Sequence, residues 1–232
     1  IVMTGIAGGS FFGYSVSSAG DVNHDGYSDV IAGANGVNQS YIFFGSPVMD
    51  NSADLTLNGG RSVSSAGNVN GDLYSDVITG TAGIVNIYFG GASMNNTADV
   101  IITGSASDNF GESVSSAGDV NDDGFSDVIV GAKGFLSNTG RAYIYFGGPS
   151  MDNVADVIMT GALTGNNLLG ASVSSAGDVN NDGYSDVIVG APGNPFILGN
   201  KAYIYLGGFS MDNIADVSLP GSVALFGSNL GV

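Results

Sequence analysis

Hydrophobic residues along the chain occur in short runs of about five residues, separated by stretches rich in Gly, Asn, Asp and Ser. Examples are the runs at 127–131, 143–146 and 155–159. The runs are rich in Val, Ile, Tyr and Phe, and no segment keeps the i, i+3, i+4 spacing of a helix over ten positions. The pattern predicts an all-β protein whose strands of about five residues are joined by tight turns.

The strands recur in units. The hexapeptide Ser-Val-Ser-Ser-Ala-Gly begins at Ser15, Ser62, Ser113 and Ser172, at spacings of 47, 51 and 59 residues. In each copy an acidic loop and three hydrophobic runs follow, so a unit contains four predicted strands. Repeated four-stranded units of this length are typical of β-propeller blades, whereas the coils of a parallel β-helix are shorter. The approximate units are 12–58, 59–109, 110–168 and 169–225, with the start of a fifth at 226–232.

The two ends of the chain fall inside units. Residues 1–5 match residues 157–161, the fourth strand of a unit, and residues 230–232 match residues 169–171, which precede a hexapeptide. We therefore expect a window from a longer repeat protein, or ends that complete a neighbouring molecule. A self-sufficient four-bladed ring with a spare strand is the alternative.

The acidic loop carries side-chain oxygens at its positions 1, 3, 5 and 9, with Gly at position 6 in three of the four copies. Alternate side chains of such a loop converge on one point, Gly permits the sharp turn, and the carbonyl of position 7 adds an oxygen. The crowded carboxylates would repel one another by about 1–3 kcal/mol per pair, a cost that a divalent cation removes. The loop predicts a Ca²⁺ site, although Asp, Asn and Gly also favour turns without a metal.

An EF-hand is excluded because position 12 lacks Glu and the flanks are strands. Mg²⁺ fits less well than Ca²⁺ because it demands octahedral geometry and resists dehydration. The predicted ligands of the three strong sites, with the carbonyl donor at position 7, are Asp21, Asn23, Asp25, Tyr27 and Asp29; Asp119, Asn121, Asp123, Phe125 and Asp127; and Asp178, Asn180, Asp182, Tyr184 and Asp186.

The second loop departs from the other three. It has two carboxylates instead of three, and Leu73 stands where Gly is expected, at a position predicted to need positive φ. We therefore expect its site to be the weakest or empty. Its predicted ligands are Asn68, Asn70, Asp72, Tyr74 and Asp76.

These loops, together with Phe12-Gly13, Phe110-Gly111 and Gly190-Ala191-Pro192, resemble the FG-GAP repeats of integrin α-subunit β-propellers and related bacterial proteins. The resemblance covers almost the whole chain, although Phe-Gly becomes Gly59-Gly60 in the second unit and Leu169-Gly170 in the fourth. It implies a seven-bladed ring, Ca²⁺ in the hairpin between the first two strands of a blade, and ligand binding on the opposite face. Four units are present, so the blade number stays open.

Antiparallel strands place the connections between strands 1–2 and 3–4 at one end of a blade, here called the lower face. The 2–3 and 4–1 connections lie at the other end, the upper face. Length variation falls on the upper face, as in residues 134–140 and 193–200 against the short turn at Gly83. Variable connections on a fixed scaffold are where binding usually resides, and their apolar residues are candidate ligand contacts, unless they cap the propeller. These candidates are Phe11, Phe135, Leu136, Phe196, Ile197, Leu198, Leu225 and Phe226.

The composition argues against several classes of function. Four Lys and Arg residues against 21 Asp and Glu residues give a formal net charge of −17, which disfavours nucleic acid and anionic membrane surfaces, and no apolar run is long enough for membrane insertion. The absence of Cys excludes disulfides and thiolate chemistry. The one His and the one Glu, His24 and Glu112, do not form an acid–base constellation, so we expect no enzyme.

Two non-catalytic classes remain. The first is a binding module for adhesion or recognition, with a protein or glycan on the upper face. The second is a structural protein whose copies associate head to tail into a filament. Ca²⁺ loops without a chelating Glu need the roughly 10⁻⁴–10⁻³ M Ca²⁺ found outside cells, so we expect an extracellular or cell-surface protein.

Overall fold

The protein consists of four antiparallel four-stranded sheets, seen in a computed structural model that describes residues 2–4, 8–163, 166–193 and 200–221. In each sheet the strands follow one another in chain order from the first to the fourth. The strands are β1 Phe12–Gly20, β2 Asp29–Ala34, β3 Gln39–Phe43 and β4 Leu55–Asn58; β5 Ser62–Gly67, β6 Asp76–Thr81, β7 Ile84–Tyr88 and β8 Val100–Thr103; β9 Ser113–Gly118, β10 Asp127–Ala132, β11 Arg141–Tyr145 and β12 Val157–Thr160; β13 Ser172–Gly177, β14 Asp186–Ala191, β15 Lys201–Tyr205 and β16 Val217–Pro220.

The first strands of successive sheets, β1, β5, β9 and β13, lie side by side in that order. They line a shared cavity of about 370 Å³ whose walls are rich in the Ser side chains of the four hexapeptides. This arrangement of sheets around an axis is that of propeller blades, so the predicted all-β fold class is confirmed.

Within the described residues, helical turns are confined to two upper-face connections. A 3₁₀ turn, Ala106–Asp108, joins β8 to β9, and a four-residue turn, α1, Phe135–Asn138, joins β10 to β11, with a left-handed backbone at Leu136 and Ser137. The hydrophobic pattern did not predict either turn, because both are too short to show a helical period.

The core lies between neighbouring sheets. One face of each sheet packs against the opposite face of the next, so that Ile31 and Ile42 of the first sheet share a cluster with Val77 of the second. The same alternation joins the second sheet to the third and the third to the fourth. Period-2 strands with both faces apolar account for this packing, because each sheet has a neighbour on either side.

The two outermost sheet faces are less covered than the inner ones. Val16 is 70% exposed, although its equivalents in the next three sheets are buried, and Val179 is 52% exposed, although Val22, Val69 and Val120 are buried. Residues 2–4 lie along the outer edge of the first sheet, where the Asn51 side-chain amide donates to the carbonyl of Val2 at 3.4 Å. In the third unit, the equivalent Asn153 donates to the carbonyl of Ile101 in β8, the fourth strand of the sheet before it. Residues 2–4 therefore lie where the fourth strand of a sheet before the first one would lie.

Each hexapeptide ends in a bulge that starts the acidic loop. The pairing of β1 with β2 shifts register between Ser18 and Gly20, and the third and fourth sheets shift at the same place. The closing Gly has positive φ in all four copies, for example 78° at Gly20 and 79° at Gly67. Glycine adopts this backbone without strain, which explains why the sequence Ala-Gly precedes every loop.

Candidate metal loops and the upper face

The side chains of the first acidic loop converge as their spacing predicts. The N–H of Asp25 donates to Oδ1 of Asp21 at 3.0 Å and to Oδ1 of Asn23 at 3.1 Å, so these two oxygens lie beside the same nitrogen. The Asn23 amide donates to Oδ2 of Asp25 at 3.0 Å. Positions 1, 3 and 5 therefore point inward around one small volume at the lower face.

The third and fourth loops repeat this arrangement atom for atom. In each, position 5 donates its N–H to the side chains of positions 1 and 3 at 3.1 Å, and the N–H of the position-6 Gly donates to position 1. These Asx hydrogen bonds define the shape of the loop.

The carboxylate at position 9 is buried, unlike the side chains at positions 1, 3 and 5 of the same loop. Asp127 is fully buried, and its two oxygens accept the N–H groups of Val120 and Gly147, both at 2.8 Å. Asp29, Asp76 and Asp186 make the equivalent pair of bonds in their own loops. Position 9 thus ties the acidic loop to the end of the third strand, a role that its predicted place in the metal site did not include.

Burial raises the pKa of the position-9 carboxylates in the second and third loops. Desolvation raises the pKa of Asp127 to about 7 and that of Asp76 to about 6, against the lowering effect of their backbone N–H bonds. The charges of Asp123 and Asp119 add to the increase at Asp127. The carboxylates of the loop are therefore close enough to repel one another.

The second loop contains the backbone strain that its sequence predicts. Leu73 has a φ of 77° and Gly71 a φ of 81°, whereas the other loops place Gly at position 6, as with Gly26 at 90°. Gly71 and Asp72 both donate their N–H groups to Oδ1 of Asn68, which replaces the carboxylate of the other copies with one amide oxygen. The other three loops have their non-Gly positive φ at position 4, in His24, Asp122 and Asn181, whereas the loop that we expect to be weakest has it at Leu73. Asn, Asp and His adopt this conformation more readily than Leu does.

Replacing the strained residue should stabilise the protein. We expect Leu73→Gly to raise the free energy of unfolding by about 1 kcal/mol, because Leu73 is 76% exposed and loses little packing when its positive φ is relieved. Chemical denaturation in EGTA measures the change without any contribution from metal. Val48→Gly, at an exposed site without positive φ, is the matched control and should be neutral or destabilising; a destabilised Leu73→Gly would contradict the strain.

Neighbouring acidic loops are fastened to each other. The N–H of Ser75 donates to the carbonyl of Asp21 at 3.0 Å, and the Ser75 hydroxyl accepts the N–H of Asp21 at 3.2 Å. Ser126 makes the same reciprocal pair with Asn68. Position 8 of one loop thereby fixes position 1 of the loop before it, a contact between residues more than 50 positions apart that the sequence pattern did not reveal.

The donor set fits a hard divalent cation. Within the described residues no three His, Cys, Asp or Glu side chains form a preassembled metal cluster. Each loop instead offers oxygens of two chemical kinds, the carboxylates or amides of positions 1, 3 and 5 and the carbonyl of position 7, beside the anchored carboxylate of position 9. Oxygen donors of this kind suit Ca²⁺ and do not suit soft metals.

The upper face contains the described ligand candidates. Phe11 is 66% exposed and Leu136 is 56% exposed. Phe135 is partly covered, with the guanidinium of Arg141 stacked 3.6 Å from its ring centroid. The remaining candidates Phe196, Ile197, Leu198, Leu225 and Phe226, and the predicted fifth unit, lie outside the described residues.

Exposed apolar side chains are not confined to this face. Phe209 and Val48, in the lower-face turns between third and fourth strands, are both 87% exposed. Exposure alone therefore does not distinguish the upper face, whereas its varying loop length and its charges do. His24 is exposed at the lower face, and its ring lies edge-on to the ring of Tyr74 in the next loop, with 5.6 Å between the centroids.

A charge cluster lies on the upper face beside the mouth of the central cavity. Glu112 Oε1 is 2.9 Å from Arg61 Nη2, and Oε2 is 3.0 Å from Lys133 Nζ. The Asn109 amide donates to Oε1 at 2.7 Å. Burial acts to raise the pKa of Glu112, but the bonds from Lys133 and Asn109 and the two positive charges lower it overall. The single Glu of the chain is thus held ionised between two cations.

Four repeated four-stranded sheets, each with an acidic loop between its first two strands, define the class of the protein as a β-propeller. Comparison with known proteins gives the family. The FG-GAP repeat family matches residues 12–43, 110–145 and 169–206, so the chain carries FG-GAP repeats, and the recognition made from its motifs is confirmed. The matched ranges fall on the first, third and fourth units, which contain the three predicted strong Ca²⁺ loops.

The curated relatives are integrin α subunits. The chain is 38% identical over 91 residues to integrin α-5 of Xenopus laevis, a match to 36% of this chain and 8% of that protein. It is 27% identical over 201 residues to integrin α-3 of Cricetulus griseus, a match to 85% of this chain and 16% of that protein. The chain thus spans less than a fifth of the length of these relatives and corresponds to an integrin-α-like FG-GAP propeller. No helix within the described residues is long and apolar enough to cross a membrane.

Proposed function

We propose that the chain is a Ca²⁺-stabilised, non-catalytic recognition module that acts outside the cell and binds a protein partner through its upper face. The observation that carries the proposal is the division between the two faces. The lower face repeats one acidic loop with the same internal hydrogen bonds, whereas the upper-face connections vary and expose Phe11 and Leu136. A fixed scaffold with variable loops is the usual design of a binding protein.

Within this proposal, the lower-face loops are structural Ca²⁺ sites. The side chains of positions 1, 3 and 5 would hold the ion with the carbonyl of position 7, and position 9 would complete the site while anchoring the loop. Ca²⁺ would supply positive charge that removes the repulsion among carboxylates. The three loops with Gly at position 6 are the strong sites, and the loop with Leu73 is the weaker one. An extracellular setting follows from the Ca²⁺ concentration that such loops need.

The link between loops gives the metal a structural consequence. Because Ser75 and Ser126 fasten each loop to the one before it, an ion that orders one loop also orders part of the next sheet. Upper-face connections begin at the far ends of the same short strands. Ordered sheets therefore present the upper-face residues on a rigid support.

Recognition by the upper face can be tested without knowing the natural partner. A displayed library of random seven-residue peptides, selected on the protein in 2 mM CaCl₂, should yield binders that Leu136→Ser and Phe11→Ser weaken by about tenfold. Both residues are exposed, so each substitution should change the free energy of unfolding by no more than about 0.5 kcal/mol.

Phe209→Ser is the control, since it removes an aromatic ring that is 87% exposed from the lower face. Binders that the Phe209 variant weakens and the Leu136 variant does not would place recognition on the wrong face. A large loss of stability in Leu136→Ser would instead support the capping role for these side chains.

A second candidate function is head-to-tail association of copies, and the exposure of Val16 and Val179 on the two outermost sheet faces favours it. Within the chain, the same two kinds of face pack together three times. Against it, residues 2–4 already occupy the outer-strand place on the first sheet, so a docking fourth sheet would have to displace them. Sedimentation velocity at increasing concentration separates the two functions, because only the second predicts growing oligomers.

A further inference from the structure

The charges of the chain are divided between its two faces. All four cations lie on the upper face: Arg61 and Lys133 flank first and second strands, and Arg141 and Lys201 begin β11 and β15. Of the 21 acids only Asp108 and Glu112 share that face, and the other 19 lie in the lower-face loops and turns. Every Lys, Arg, Asp and Glu falls within the described residues, so the division covers the whole charge of the chain. The upper face is net positive on a protein whose net charge is −17.

The two faces are far enough apart to act separately on a bound group. Strands of five or six residues place their ends about 17–20 Å apart. This separation is about twice the Debye length of roughly 8 Å at physiological salt, so lower-face acids are largely screened from a ligand at the upper face. Ca²⁺ in the acidic loops would reduce the lower-face charge further. A partner at the upper face therefore meets mainly local cations.

Two of these cations are available for a ligand. Arg61 and Lys133 share the carboxylate of Glu112, whereas Arg141 and Lys201 have no ion-pair partner in the part of the chain that the structure describes. The Nε of Arg141 donates to Oγ1 of Thr160 at 3.1 Å, and its guanidinium stacks on Phe135. The Nζ of Lys201 lies 5.8 Å from the ring centroid of Tyr203.

The guanidinium of Arg141 is positioned to bind a carboxylate. Stacking on Phe135 and the bond to Thr160 fix the plane of the group at little further entropic cost on binding, and its terminal nitrogens can bond a carboxylate in pairs. Phe135 and Leu136 provide apolar surface beside the charge. Arg141 is fixed beside apolar side chains, and Lys201 holds the equivalent first position of the third strand in the next sheet. This combination fits an acidic residue next to an apolar one.

We propose that the upper face recognises a short acidic peptide segment of its partner protein, with carboxylates at Arg141 and Lys201 and an apolar side chain against Phe135 and Leu136. The inference rests on the proposed recognition function and names the chemistry of its ligand. A sulfated glycan fits less well. Two available cations cannot match the many charges of a long polyanion.

The charge preference can be read from the same selected peptides. We expect enriched sequences to contain Asp or Glu beside an apolar residue, and the strongest, synthesised as a free peptide, to bind about threefold to tenfold more weakly to Arg141→Gln and to Lys201→Gln. Gln39 occupies the equivalent first position of β3, so Gln is compatible with the fold there. Replacing the acids of the peptide by their amides should weaken binding to the same extent.

Controls separate this inference from the function on which it rests. Asp152→Asn, which changes the net charge by one unit in the opposite direction and at the lower face, should leave the affinity within about twofold. Enriched peptides that are neutral or basic, yet sensitive to Leu136→Ser, would overturn the acidic preference and keep recognition. No enrichment on the wild-type protein would overturn both. Stronger displacement by a heparin oligosaccharide than by the acidic peptide would overturn the inference in favour of a glycan.

Discussion

Asp127→Ala should lower the free energy of unfolding by about 3–5 kcal/mol in EGTA, and by more in excess Ca²⁺, where a ligand of the third site is lost as well. The substitution removes the carboxylate oxygens that accept the N–H groups of Val120 and Gly147 at a fully buried position. A buried donor without a partner costs about 1–3 kcal/mol, and the lost contacts of the side chain add to that cost. The effect is large because one carboxylate joins the acidic loop to the end of the third strand.

Asp127→Asn provides the graded comparison. Its amide retains one acceptor oxygen, so we expect about half the loss seen with Ala. Asp152→Ala, at an exposed lower-face turn, is the control and should change stability by no more than about 1 kcal/mol. Urea denaturation followed by circular dichroism measures all three. An Asp127→Ala protein as stable as the wild type would show that the two backbone bonds do not stabilise the fold.

Removal of Ca²⁺ is the second change for which we expect a large effect. With a dissociation constant of about 10⁻⁴ M, 2 mM Ca²⁺ adds about 1.8 kcal/mol per site to the folded state, or about 5 kcal/mol for three sites. EGTA should therefore lower the melting temperature by about 10–20 °C for a chain of this size. Mg²⁺ at the same concentration should restore little of the loss. Equal melting temperatures in EGTA and Ca²⁺ would contradict structural metal sites.

Asp123→Asn isolates one site. The amide can still accept the N–H of Phe125, which Oδ1 of Asp123 accepts at 3.0 Å, while one ligand charge is lost. We expect about one third of the Ca²⁺-dependent stability to disappear and the stability in EGTA to change little. The variant thus separates the metal contribution from the hydrogen bonds that shape the empty loop.

The effect of Ca²⁺ removal should depend on pH. The pKa of Asp127 is raised to about 7 in the folded protein, so its protonated form favours folding. In EGTA this contribution is present at acidic pH and is lost as the pH rises through about 7. Ca²⁺ binds the ionised loop, so it should protect most at alkaline pH. We expect the difference in melting temperature between Ca²⁺ and EGTA to be larger at pH 8 than at pH 6.

The sequence predicted most of the architecture because the repeat displays each structural feature four times. Period-2 apolar runs, the turn residues between them and the recurring hexapeptide are local signals, and they gave the four-stranded sheets and the positive φ of Leu73. The convergence of positions 1, 3 and 5 also follows from spacing within a single loop.

Features that depend on contacts between residues far apart in the sequence were missed. The anchoring of Asp127 to Gly147 joins a loop to the end of a distant strand, and the bond between Ser126 and Asn68 joins two sheets. The Ser at position 8 and the Asp at position 9 recur in every unit, but recurrence does not show which group each side chain contacts. The division of charge between the faces was present in the sequence, but it becomes visible only when each residue is assigned to an end of its strand.

Crystals grown in 5 mM CaCl₂ provide the most direct test of the metal loops, by anomalous scattering at a wavelength that enhances the Ca²⁺ signal. We expect one strong peak in each of the first, third and fourth loops, surrounded by the oxygens of positions 1, 3, 5, 7 and 9, and a weak peak or none beside Leu73. Three loops without anomalous density at this concentration, closed only by their own Asx hydrogen bonds, would contradict the account.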